Sequence, residues 1–90
     1  MTGQTKAFIG IGTSPWHHAH LKRVRFVADI NGHEEVVVGR VKHVSPTGAL
    51  MKVSVEYQNR NGKEATKMIE YPTAMIRPGS LRELNPGERP

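Results

Sequence analysis

Two Asn-Gly dipeptides, Asn31-Gly32 and Asn61-Gly62, divide this 90-residue chain into short segments with a period of two. Asn and Gly both accept positive φ, so an Asn-Gly between alternating apolar runs favours a tight antiparallel hairpin. Ser45-Pro46-Thr47-Gly48 supplies a third reversal, with proline presetting φ and glycine closing the turn. Three reversals at this spacing predict a meander of antiparallel strands.

The segments between the turns carry the matching pattern. Val24, Phe26, Ala28 and Ile30 fall on one face of a first strand, with Arg23, Arg25 and Asp29 on the other. Met51, Val53, Val55 and Tyr57 alternate in the same way with Lys52, Ser54 and Glu56. In the intervening strand Val36 and Val38 share one parity and Val41 has the other. That places a phase slip, and so a bulge or sharp bend, at Gly39. A two-residue turn at Asn61-Gly62 sets Arg60 against Lys63, Val55 against Met68 and Glu56 against Lys67. Pro72 ends the fourth strand, and Thr73 to Ile76 fit one tight helical turn. Ser80-Leu81-Arg82-Glu83 reads equally as a capping box or as a short last strand.

The expected fold is therefore all-β: a small antiparallel barrel of about five short strands, with a single helical turn before the last. Closure is favoured because an open sheet would leave edges free to aggregate. The barrel domain spans residues 21–84. Residues 1–20, with Gly3, Gly10, Gly12 and Pro15, form a flexible arm in which Phe8, Ile9 and Ile11 are suited to a short added strand. Residues 85–90 form a disordered tail. Strand spacing, the Gly39 bend and the turn after Tyr71-Pro72 resemble the SH3-like small barrels, including the KOW and Tudor-type modules, over about residues 21–77. Barrels of that kind often dock a peptide or another subunit on a strand edge or loop face.

Composition narrows the function. A single domain of this size buries roughly two-thirds of its unfolded surface, which leaves a thin core and little shelter for a substrate. Cysteine is absent, so no disulfide framework and no thiolate metal site is available, in keeping with a reducing cytoplasmic setting. No segment approaches a membrane span. Thirteen Lys and Arg against eight Asp and Glu give a net charge of +5, which suits an anionic partner.

The charge is not spread evenly. Arg23 and Arg25 on the first strand face Arg40 and Lys42 on the second, with Lys22 and Lys52 close by. Like charges opposed across strands destabilise a sheet, and arginine binds phosphate through a planar fork. Lys22, Arg23, Arg25, Arg40, Lys42 and Lys52 are thus the candidate nucleic-acid-binding residues, for RNA or DNA. The competing reading is a solvated, charged edge that resists sheet-to-sheet pairing. An assembly module using a strand edge or the Trp16 arm to hold a protein partner is the alternative function.

Other constellations point to less. Phe26 and Tyr57 share the apolar parity and belong to the core rather than to a base-stacking surface. His17, His18 and His20 lack a neighbouring acid or cysteine to complete a metal shell, so they read as a polar, exposed arm. Gly10-Ile11-Gly12 opens like a dinucleotide fingerprint, but Pro15 stands where its third glycine belongs. With one aspartate and no local Ser-His-acid motif, no catalytic residue, metal or cofactor is expected. Tyr71-Pro72-Thr73-Ala74-Met75-Ile76 resembles the end of the fourth strand in plasmid-borne type II dihydrofolate reductases, which are SH3-like homotetramers. Those enzymes place Gln-Ile before the tyrosine to line a shared pore. This chain has Ile69-Glu70 there, so only Tyr71 carries over and the reductase activity is not expected.

Overall fold

The computed structural model describes residues 14–89. Most of the expected arm, including the strand over Phe8 to Ile11 and the Gly10-Ile11-Gly12 motif, lies outside these residues. A single helical turn, α1 (Pro15–His18), opens the described chain. It is followed by β1 (Arg23–Ile30), β2 (His33–Val44), β3 (Leu50–Gln58) and β4 (Glu64–Pro72). A 3-10 turn over Thr73–Met75 then precedes the two-residue β5 (Arg82–Glu83). All pairings are antiparallel, in the order β4-β3-β2-β1-β5. The fold is predominantly β, as the turn chemistry predicts.

Asn31 (φ 53°) and Gly32 (φ 83°) both adopt positive φ, and Ile30 pairs with His33. This is the two-residue turn whose backbone twist matches the strands it joins. The second Asn-Gly behaves differently. Asn59 Oδ1 accepts hydrogen bonds from the Asn61 (2.9 Å) and Lys63 (3.1 Å) amides, and the Asn59 amide bonds the Lys63 carbonyl. Arg60-Asn61-Gly62 is therefore a three-residue loop, with only Gly62 at positive φ (77°). The register moves by one from the expected pairing: Val55 lies opposite Lys67, not Met68, and Glu56 opposite Thr66, not Lys67.

The phase slip in β2 is also displaced. Val37, Gly39 and Val41 share the core face, while Val36 points outward at 58% exposure. The bulge falls between Val41 and His43, with Lys42 as its extra residue. Gly39 is needed for another reason. A Cβ there would collide with the Ser54 carbonyl oxygen and sit 2.8 Å from Val53 Cγ1. Pairing of β2 with β3 begins at Gly39, so His33–Val38 pairs only with β1, and Glu56–Gln58 only with β4. The two hairpin tips diverge from this point.

One face of the sheet holds the core: Val24, Phe26, Val37, Val41, Met51, Val53, Val55 and Tyr71, with Ala19, Ile76 and Leu84 added from outside the long strands. Phe26 of β1 and Tyr71 of β4 meet edge to face, ring centroids 5.4 Å apart and planes at 86°. In a flat sheet those strands would stand about 14 Å apart, three strand spacings. The contact thus requires strong curl. Hydrogen bonding nevertheless leaves the sheet open, since β4 and β5 each pair on one side only. The outer edge of β1 is laced by later segments. Arg77 donates to the Val27 carbonyl, the Val27 amide donates to Ser80 Oγ (3.0 Å), and Ile76 bridges Ala28. Ser80 works here as an edge tie rather than a helix cap. Among the described residues no helix is long and apolar enough to cross a membrane.

Candidate polyanion-binding face

The face opposite the core carries Arg23 and Arg25 of β1, Arg40 of β2 and Arg82 of β5. Arg23 is the direct cross-strand partner of Arg40, and Arg25 that of Arg82. Residues two apart on a strand share a face, so the register sets all four arginines on this side of the sheet. Lys52 extends the same face toward the far end of the sheet, where the Lys42 bulge and His43 oppose it.

Two carboxylates enter this group. Glu56 of β3 grips Arg23 in bidentate fashion, Nε to Oε2 at 2.7 Å and Nη2 to Oε1 at 3.0 Å. The remaining Arg23 nitrogen, Nη1, donates to the Glu88 carbonyl at 2.6 Å. The bonds between Arg23 and Glu56 hold the Glu56 carboxyl below its ordinary pKa and raise the already high one of Arg23. Glu88 itself is bonded by the Asn85 amide (2.9 Å) and Arg82 Nη1 (2.6 Å), and its carboxyl is lowered by those two partners in that order. Arg40 donates one bond, Nη1 to the carbonyl of Leu21 at 2.8 Å, a residue in the left-handed conformation (φ 66°).

The sequence-derived set is thus divided. Arg23, Arg25 and Arg40 come together, and Lys42 and Lys52 sit at one end of the group. Lys22 has the parity of Val24 and reaches the other side of the sheet, where Nζ lies 3.4 Å from Glu83. Among the described residues no carboxylate stands within ion-pair distance of Arg25, Arg40, Lys42 or Lys52. Arg82 escaped sequence reasoning because a two-residue strand has no periodicity to read. Glu56 and Glu88 escaped it because each reaches the arginines from a distant part of the chain.

Beside the arginines runs an open groove of about 1220 Å³, with Arg23, Arg40, Glu56 and Tyr57 on the sheet side and Glu88 and Arg89 on the other. The histidines lie elsewhere. His17 completes a capping box with Ser14: its Nδ1 is 2.7 Å from Ser14 Oγ, and its Nε2 donates to the Ser45 carbonyl at 2.7 Å. A carbonyl only accepts, so Nε2 carries the proton and Nδ1 takes the serine hydroxyl's. The pair is a structural tie between α1 and the β2–β3 turn. Trp16 packs against the core rather than projecting from it. Comparison with protein-family models, curated proteins and solved structures finds no match to this chain.

Proposed function

We propose that this protein is a non-catalytic binding module that takes a polyanion, with RNA or DNA as the leading class, on its arginine face. The supporting observation is that Arg25, Arg40, Lys42 and Lys52 lie on this side of the sheet with no carboxylate of the described residues within ion-pair distance. Arg23 and Arg82, the cross-strand partners of Arg40 and Arg25, are already held by Glu56 and Glu88. Cationic groups gathered in this way suit an anion, and a phosphate offers the geometry that a guanidinium fork accepts. In this reading Arg25, Arg40, Lys42 and Lys52 contact phosphates, and affinity comes from counterion release with little base readout. The strand order, the long second strand shared between two hairpins and the 3-10 turn before β5 support an SH3-like small barrel as the scaffold.

The test is anisotropy of a labelled single-stranded RNA and a labelled DNA duplex, titrated from 50 to 200 mM salt. About four phosphate contacts predict a loss of roughly a hundredfold in affinity across that range. Reversing Arg25 and Arg40 to Glu abolishes binding on this reading. Undetectable binding at 50 mM salt, or binding indifferent to the two reversals, overturns it.

A second reading, a protein-interaction module, rests on β4. Its outer edge has no strand partner among the described residues, and Met68 at its centre is 57% exposed. A partner strand adding there would bind with little salt dependence and would be lost on Thr66→Pro.

A further inference from the structure

We propose that the segment Asn85–Arg89 is a built-in competitor for the anion, with Glu88 holding in cis the position that an external phosphate takes between Arg82 and Arg23. This rests on the polyanion reading above. Asn85-Pro86-Gly87-Glu88 is a turn by its own chemistry: proline stands at the second position, Gly87 has φ 78° at the third, and the Glu88 amide closes onto the Asn85 carbonyl at 2.9 Å. The turn is placed by the sheet, because the Leu84 amide bonds the Arg23 carbonyl at 2.8 Å and the Leu84 side chain is buried. Glu88 therefore arrives at the arginines preorganised.

Its contacts are those of a ligand. One carboxylate oxygen takes Arg82, the other takes the Asn85 amide, and the main-chain carbonyl takes the last free nitrogen of Arg23. A carboxylate and a phosphate compete for the same guanidinium fork. The segment also forms one side of the groove beside Arg40. An intramolecular competitor acts at a high effective concentration, yet an exposed ion pair is individually weak. The segment thus excludes a lone phosphate group while yielding to a polymer that presents many. It sets a threshold for chain length rather than a block.

The experiment compares full-length wild type, Glu88→Gln, Arg82→Gln and the double variant for RNA and duplex DNA binding between 50 and 200 mM salt. Asp29→Asn serves as control, since it makes the same charge change at the turn end of the β1–β2 hairpin. Glu88→Gln is expected to tighten binding about three- to tenfold at 50 mM salt. The slope of log affinity against log salt should steepen by about 0.7 to 0.9 for each phosphate newly engaged. Asp29→Asn should leave the slope unchanged, and the Glu88→Gln gain should vanish in the Arg82→Gln background. A Glu88→Gln protein indistinguishable from Asp29→Asn, or a gain that survives Arg82→Gln, overturns the competitor while leaving the polyanion reading intact. Absence of binding by both wild type and Glu88→Gln at 50 mM salt overturns both.

Discussion

Arg23 stands directly opposite Arg40 across β1 and β2, and two of its nitrogens are held by Glu56 from a third strand. The carboxylate relieves a like-charge opposition that the register imposes. Glu56→Gln should therefore destabilise the fold by about 0.5–1 kcal/mol, the range for a partly exposed pair with good geometry. The loss should shrink in an Arg40→Gln background, where the opposition is gone. Urea denaturation of the four-member cycle at low salt reads this coupling directly.

Acid should weaken the fold through the same contact. Glu56 and Glu88 have folded-state pKa values below the ordinary carboxylate value of 4.5. Their contribution is fully present above about pH 4.5 and is lost as pH falls through the lower folded values. Tyr71 has the opposite sign: burial first, and Glu35 second, raise its hydroxyl above the ordinary 10.0. Its contribution holds below pH 10 and is lost as pH rises beyond it. Thermal melts from pH 3 to 11 should show a plateau bounded by these two declines.

The two Asn-Gly turns should respond differently to the same substitution. Asn31 sits at φ 53°, where an alanine pays about 1 kcal/mol for its Cβ, whereas Asn31→Gly is close to neutral. Asn61 is not in that region, so Asn61→Ala should change stability by less than about 0.5 kcal/mol. Chemical denaturation of both alanine variants decides the contrast.

How much of this was legible in the residues follows from where each signal resides. The turns and the alternation around Val24 to Ile30 and Met51 to Val55 are local, and they carry the antiparallel class and the 3-10 turn after Pro72. Register is less local. Asn61-Gly62 suits either a two- or a three-residue loop, and the choice is made by Asn59, whose side chain ties the Asn61 and Lys63 amides. Three consecutive valines, Val36 to Val38, conceal which parity is inward, so periodicity alone sets the phase slip at Gly39 and not at the Lys42 bulge. The grouping of Arg23, Arg25 and Arg40 was readable from strand parity. Its carboxylate partners depend on the curl of the sheet and the path of the chain after β5, which no periodicity encodes.

Gly39→Ala should be among the most disruptive small substitutions in the chain. The added methyl meets the Ser54 carbonyl and Val53 Cγ1 at the Gly39–Val55 pair where the β2–β3 ladder begins, so relief requires opening that end of the ladder. A loss of about 2–3 kcal/mol is expected, visible as a lower urea midpoint.

Phe26→Ala should cost about 3–5 kcal/mol, the range for emptying a fully buried aromatic site. Phe26 also holds β1 against β4 through Tyr71, so the variant should lose near-ultraviolet dichroism from tyrosine before it loses strand content. Simultaneous loss of the two signals would show that the curl has no separate contribution.

The placement of Lys67 has a last consequence. It lies on the core side of β4 with its ammonium 5.3 Å from the centre of the Tyr57 ring, midway along the sheet's open edge. If two copies joined β4 to β4 antiparallel with their cores on one side, Lys67 would meet only Ala65, Ile69, Tyr71 or its own counterpart. Glu64 and Glu70 have the other parity, so no register of that kind supplies a counter-charge. Lys67 thereby disfavours a two-copy β4-to-β4 joint of that kind, while a foreign strand with an acid at the matching position is still admitted.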